Sequence, residues 1–328
     1  MKLLRLILGS LMVVMLVASC TKKTEVTEED KKLLTEALEH FEAIPTQLIN
    51  ADENKELIAL GKKLYLEKKL SINDTISCNS CHMLDKFGVD NERTSPGHDG
   101  TRGGRNSPTV YNAGLNFVQF WDGRAEDLAA QAIGPILNPI EHGMPSESAA
   151  MDKLKTAGYE DIFKQVFKNA PDAFSYKNVG VAIAGFEKTL LTPSRFDDYL
   201  KGDVHALSEK ERKGLKRFIE IGCVSCHNGA GVGGGMYQKL GAVEEYPTKD
   251  LGRFEVTKQE DDKYFFKVPS LRNITKTAPY FHDGSLDTLD MVIPIMAKHQ
   301  LGEQVTTDDV DAIKAFLDSL TAKDELKF

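Results

Sequence analysis

Two five-residue strings gather most of the reactive side chains in this chain: Cys78-Asn79-Ser80-Cys81-His82 and Cys223-Val224-Ser225-Cys226-His227. Two thiols three positions apart reach the two vinyl groups of one haem, and the adjacent imidazole then meets the iron from its proximal face. The same spacing opens many zinc sites, but those close with further Cys or His ligands, and no closing pattern follows either string. The pair of strings therefore predicts two covalently bound haem c groups, held by Cys78, Cys81 and His82 and by Cys223, Cys226 and His227. The sixth ligand of each iron separates electron transfer from catalysis. For the first haem the nearest candidate is His98, in Pro96-Gly97-His98-Asp99-Gly100. Its flanking glycines permit large backbone rotations, so a ligand mounted there could leave the iron. The sixteen residues from His82 to His98 reach roughly 50 Å when extended, so chain length does not separate a ligand from an exposed loop histidine. For the second haem the candidates are Met236, Met291 and Met296, since a thioether raises the potential and suits an electron-accepting haem. Met236 follows His227 too closely to pass easily round the macrocycle. Met291 and Met296 lie five apart on one short helix and cannot both face one point, so one of them is core packing.

The segments that carry these residues begin with an export leader. Lys2 and Arg5 precede an apolar run over residues 6–17, with small Ala18 and Ser19 after it. The run is too short to span a bilayer comfortably. Val17-Ala18-Ser19-Cys20 resembles a bacterial lipobox, which predicts lipidation of Cys20 and a chain anchored on the periplasmic side of a bacterial membrane; the alternative is secretion with Cys20 discarded. Loss of Lys2 and Arg5 takes the formal net charge from −8 to −10, an acidic balance that argues against a nucleic-acid partner. Four of the five cysteines lie in the strings and the fifth is Cys20, so none remains for a structural disulfide.

Residues 21–50 read as a charged tether and a short helix, in which Leu33, Leu34, Ala37, Leu38 and Phe41 recur at helical spacing before Pro45. Leu57, Leu60, Leu64 and Leu66 form an amphipathic stretch ahead of the first string. A late helix closes each half, anchored by Val179, Ile183, Phe186 and Leu190 and then by Val310, Ile313, Phe316, Leu317 and Leu320. Helix, haem string, irregular loops and closing helix describe a cytochrome c unit used twice. The length suits two domains, predicted over 51–204 and 205–328, with the seam near 201–208. The glycine-rich stretches 97–104 and 229–235 read as loops over haem edges.

Longer motifs sharpen this reading. Arg105-Asn106-Ser107-Pro108-Thr109-Val110-Tyr111-Asn112, Gln119-Phe120-Trp121-Asp122-Gly123-Arg124-Ala125 and Asn138-Pro139-Ile140-Glu141 lie in the first half. Val268-Pro269-Ser270-Leu271-Arg272-Asn273, Pro279-Tyr280-Phe281-His282-Asp283-Gly284 and Met296-Ala297-Lys298-His299-Gln300-Leu301-Gly302 lie in the second. Over about residues 56–320 the chain resembles the bacterial di-haem cytochrome c peroxidases. The resemblance implies an all-α fold of two cytochrome c-like domains facing each other, and reduction of hydrogen peroxide to water. It makes His82 the proximal and His98 the displaceable distal ligand of the peroxidatic haem, and Glu141 the acid/base carboxylate. Gln131 and Phe120 would line the peroxide pocket, Trp121 would stand between the haems, and His227 and Met296 would ligate the electron-accepting haem. A calcium ion is implied between the domains, on the Asn106 side chain and the carbonyls of Thr277 and Pro279; neutral oxygen donors suit that ion. A small c-type cytochrome or cupredoxin would supply electrons, and a homodimer is implied.

Chemistry supplies separate reasons for some of these roles. Heterolysis of the O–O bond needs a group that moves a proton from the near oxygen to the leaving one, a task for a carboxylate such as Glu141. Without the resemblance Glu141 reads rather as an ordinary helix-start acid, and Trp121 as a core aromatic. Arg102 and Arg105 could hold propionates or face solvent, and His40, His142, His205 and His299 receive no role. Two rival functions stand beside the peroxidase. A related branch oxidises a tryptophan precursor on a partner protein and carries tyrosine where this chain has Met296. A pure di-haem electron carrier would keep both irons permanently six-coordinate.

Overall fold

A computed structural model describes residues 26–324, so the leader, Cys20 and the last four residues lie outside the described part. The chain is mostly helical: α1 (Glu28–His40), α2 (Lys55–Tyr65), α3 (Cys78–Cys81), α4 (Leu128–Leu137), α5 (Glu147–Thr156), α6 (Glu160–Val166), α7 (Tyr176–Glu187), α8 (Arg195–Leu200), α9 (Glu209–Ile221), α10 (Phe254–Thr257), α11 (Leu289–Met296) and α12 (Thr307–Asp318). One antiparallel ladder joins β1 (Tyr237–Lys239) to β2 (Phe265–Lys267), with Gln238 opposite Phe266. No helix among the described residues is long and apolar enough to cross a membrane.

Local chemistry sets the helix ends. At α9, Ser208 and Glu211 cap each other reciprocally, at 3.3 Å and 2.7 Å, which satisfies two amides that the helix start leaves unpaired. Gly222 then adopts φ +94° and ends the helix one residue before the second haem string.

The buried apolar residues form two main cores. Leu60, Leu64 and Tyr65 of α2, Ala132 and Ile136 of α4 and Val179, Ile183 and Phe186 of α7 build the first. Leu215 and Phe218 of α9, Ile293 of α11 and Ile313, Phe316 and Leu317 of α12 build the second. The second core also takes Leu33, Ala37 and Phe41 from around α1, and Phe196 and Tyr199 from α8. Phe196 is the bridge, edge-on to Phe41 and to Phe316 at 5.2 Å each. Residues on both sides of position 204, Tyr199 and Leu200 before it and Leu207 and Leu215 after it, pack into the second core.

Each core is built on the same helix crossing. A Cβ on Gly61 would sit 1.9 Å from the Ala182 carbonyl oxygen and 2.9 Å from Phe186 Cβ; one on Gly214 would sit 1.9 Å from Ala312 oxygen and 2.9 Å from Phe316 Cβ. Only glycine lets α2 meet α7, and α9 meet α12, backbone to backbone. The repeat continues through the loops. Asn112 and Asn273 take left-handed φ of 61° and 62°, and Phe120 and Phe281 take 66° and 71°. Gln119 pairs with Ala125 and Tyr280 with Leu286 across the turns that follow. In this register Trp121 corresponds to His282. Fifteen residues beyond the left-handed phenylalanine stands Pro135 in one unit and Met296 in the other. The two asparagines converge, since Asn112 Nδ2 and Asn273 Nδ2 both donate to Thr192 Oγ1, at 2.6 Å and 2.9 Å, in the interior.

Candidate active site

Each cysteine string opens onto its own cavity, of about 180 Å³ beside the first and 250 Å³ beside the second. Ordinary packing voids in protein interiors scarcely exceed a water molecule, so each cavity is a place for a ligand. The first string sits on a short helix held by a reciprocal Ser77–Ser80 cap, and Tyr65 Oη donates to the His82 carbonyl at 2.5 Å. His82 Nδ1 donates to the Pro108 carbonyl at 2.9 Å. His227 Nδ1 points to the Val232 carbonyl at 3.4 Å, with the Pro269 carbonyl beside it. Because a carbonyl only accepts, each Nδ1 carries the proton and each Nε2 keeps the lone pair a metal needs. Burial lowers the pKa of His82, and that of His227 to about 4, so both rings stay neutral. The four thiols are unpaired, and burial pushes Cys78 and Cys223 up to about 12 and Cys81 to about 11. Two free thiols, a neutral imidazole with its tautomer fixed and an adjoining cavity fit covalent haem at both strings.

The cavities differ in what else lines them. Phe120, Gln131, Arg124 and Glu141 reach the first. Glu141 stands in the turn after α4, where its Oε1 accepts from Asn138 Nδ2 at 2.8 Å. Burial raises its pKa, against the opposing pull of Arg124 and Asn138. The Arg124 guanidinium lies 3.4 Å above the Phe120 ring centroid, so the cation covers the aromatic face.

His98 is not brought into this cavity. Its Nε2 donates to the Pro139 carbonyl at 3.2 Å, and its ring fills the space that a Cβ on Gly143 would occupy. Its backbone amide donates to the Glu141 carbonyl at 2.9 Å, while Pro96 and Gly97 of the same loop do line the cavity. His142, given no role from sequence, does line it, and its Nδ1 donates to the Leu70 carbonyl at 3.0 Å. Glu187 is a further lining residue that the sequence reading missed. The signal was a carboxylate four residues after Ile183, in line with the apolar stripe of α7.

Of the three methionines, Met296 lines the second cavity, whereas Met291 is 46% exposed. Trp121, Asn106 and Pro108 line both cavities. The indole Nε1 donates to the Asn106 carbonyl at 2.9 Å, and the Trp121 carbonyl accepts from the Lys267 amide at 2.8 Å. Its ring stands edge-on to His282 at 6.5 Å, and His282 stacks on Phe266 at 4.5 Å. The buried Lys267 side chain also lines the second cavity, and burial lowers its pKa to about 8. Asn106, Thr277 and Pro279 all line that cavity. Among the described residues nothing donates to the Thr277 or Pro279 carbonyls, so two oxygen donors are free, which fits a hard cation. Arg105 is committed to Asp122 at 2.6 Å and to Asp250 at 2.6 Å and 2.8 Å, while half-exposed Arg102 pairs with Glu92 at 3.3 Å.

The chain is similar to known proteins. Residues 55–205 match the family described as di-haem cytochrome c peroxidase. The chain is 46% identical to a cytochrome c551 peroxidase of Nitrosomonas europaea, covering 84% of each chain. It is 44% identical to a protein of the same name from Pseudomonas aeruginosa, covering 86% of this chain and 84% of that one. Among solved structures, a MauG-like protein associated with microbial copper homeostasis superposes with a TM-score of 0.74 at 27% identity, over 86% of this chain and 94% of that one. Two cysteine strings, two cavities and these likenesses agree: the chain belongs to the di-haem cytochrome c peroxidase family of oxidoreductases.

Proposed function

We propose that this protein reduces hydrogen peroxide at the first cavity, H2O2 + 2H+ + 2e− giving 2H2O, with electrons entering singly at the second. A small c-type cytochrome or cupredoxin is the proposed donor. The observation that carries this reading is the asymmetry of two repeated cavities, with Glu141 and Gln131 lining one, Met296 lining the other and Trp121 lining both. When bound, the haems supply redox-active iron for the peroxide oxygen and for electron storage. Glu141, as carboxylate, takes the proton from the near peroxide oxygen and returns it to the far one, which leaves as water. Asn138 holds that carboxyl in place, the Gln131 amide orients the substrate, and Phe120 under Arg124 excludes bulk water. Trp121 gives a shared wall through which the two sites communicate.

His98 is the proposed gate. Breaking its bond to Pro139 frees Nε2, and Gly100, Gly103 and Gly104, none with a neighbour within 4 Å of an added Cβ, give the loop room to swing. The place that holds Met296 in the second unit holds Pro135 in the first, which offers no ligand. That favours a catalytic first site over a pure electron carrier, and Met296 itself disfavours the partner-oxidising reading. We also propose two haem domains facing each other, calcium on Asn106, Thr277 and Pro279, a lipid anchor at Cys20 on the periplasmic side, and a homodimer.

Stopped-flow mixing with peroxide, with and without one electron supplied, tests the proposal. Wild type is expected to react only after reduction of the second haem, and His98→Gly to react without it. Equal rates for oxidised wild type and His98→Gly would overturn the gate. Absence of peroxide turnover in reduced wild type would overturn the function.

A further inference from the structure

Glu187 is the last residue of α7, 5% exposed, and it lines the first cavity together with Cys78 and Ile183. Its Oε2 is buried without a hydrogen-bond partner. Such a group carries a desolvation cost that a well-packed leucine would avoid. The internal repeat supplies the comparison. Gly61 rests on Ala182 and Phe186, and Gly214 rests on Ala312 and Phe316, so the next residue along each closing helix is Glu187 in one unit and Leu317 in the other. Leu317 lines the second cavity. One framework thus places a carboxyl against the first cavity and an isobutyl group against the second.

We propose that Glu187 sets the potential of the first haem by exchanging a proton as that haem changes redox state. The inference rests on the haem reading given above. Ionised, the carboxylate holds a negative charge in a dry wall and favours the ferric form; protonated, it does not. One electron taken up by the haem is accompanied by one proton from solvent taken up by Glu187, and reoxidation releases it. Burial pushes this carboxyl up to about 8, which brings its titration close to neutral pH. The groups that face it are few. Tyr65 of α2 is held protonated by burial, and Cys78 and Cys81 of α3 no longer titrate once they are thioethers. From α4 the same cavity receives Leu128, Gln131 and Ala132, none of which titrates, while Glu141, Arg124, Arg105, His82 and His142 are its other ionisable groups. The Glu147 charge of α5 acts at the opposite end of α7, on Tyr176.

The test is a spectroscopic redox titration of the holoprotein between pH 6 and 9. The first-haem potential of wild type is expected to fall with rising pH, with a slope approaching 59 mV per tenfold change in proton concentration. Glu187→Gln and Glu187→Leu are expected to lose that slope and to keep the higher potential at alkaline pH, while Glu141→Gln retains it. Glu187→Gln preserves shape and covers the case in which the leucine variant folds poorly. A slope that persists in Glu187→Gln, or that vanishes in Glu141→Gln instead, overturns the proposal while leaving the haem reading intact. A wild-type protein without covalent haem would overturn the reading beneath it.

Discussion

Replacing Gly61 by alanine places a methyl carbon where α2 crosses α7, 1.9 Å from the Ala182 carbonyl oxygen. A relaxed carbon–oxygen contact is about 3.3 Å, so the helix axes must part by roughly 1.4 Å. The clashing atom is backbone and cannot rotate away, and a gap of that size forfeits much of the dispersion between the facing side chains. Overpacking of this kind costs about 1 to 3 kcal/mol, and the rigidity of the obstacle points to the upper end. Alanine's better helix propensity returns about 1 kcal/mol. The expected net loss is about 2 kcal/mol, and the matching contact at Gly214 gives the same figure for α9 and α12. Urea unfolding of the holoprotein, followed at the absorption bands of each haem and by far-ultraviolet circular dichroism, measures both. Gly61→Ala should lower the midpoint seen at the first haem, and Gly214→Ala that seen at the second. A Gly61→Ala protein within about 0.5 kcal/mol of wild type would refute the close crossing, since that is the scale of a neutral surface change.

Four further outcomes are expected. Glu141→Gln should bind peroxide yet turn over about 10²-fold slower or worse. In wild type the rate should fall as acid protonates Glu141, at a pH above that of an ordinary glutamate because burial raises it, and steady-state pH profiles should show this limb missing in the variant. Met296→His should lower the second-haem potential and slow electron entry; the same shift from Met291→His, with Met296→His silent, would reassign the ligand. Arg272→Met strands Asp197, which burial alone would raise but which the paired guanidinium holds below its usual range. The loss should lie near the low end of about 3 to 5 kcal/mol in thermal unfolding, because Ile44 N, Ser194 N and Ser194 Oγ still donate to that carboxylate. Denatured protein should carry two covalent haems, and Cys20→Ser should leave the membrane fraction, with wholly soluble wild type as the result that excludes an anchor.

Periodicity and strict spacing made the helices and both haem strings legible from sequence, because a stripe of Val179, Ile183 and Phe186 depends on nothing beyond its own helix. Residues whose partners are distant were not. His98 could be named as a loop histidine, but its hydrogen bond goes to Pro139, on a segment 41 residues away. The helical period showed that Met291 and Met296 face different ways, and the packing of α11 then placed Met296 at the cavity. Glu187 drew no reading from sequence, since burial on all sides is a property of the assembled core. The attachment of α1 and α8 to the second core rests on the Phe41, Phe196 and Phe316 edges, which no local pattern announces.

Thr192 works as a joint without slack. Its hydroxyl receives both left-handed asparagines, one from each unit, and its own amide donates back to Asn112 Oδ1 at 2.9 Å. Electron tunnelling decays exponentially with separation, so a redox relay tolerates little breathing between its stations. Any widening between the two asparagine loops must break a bond in the dry interior, where no water replaces it. The two asparagine loops are thereby held at one separation, so the motion proposed for the glycine-rich rim around His98 would leave that separation unchanged.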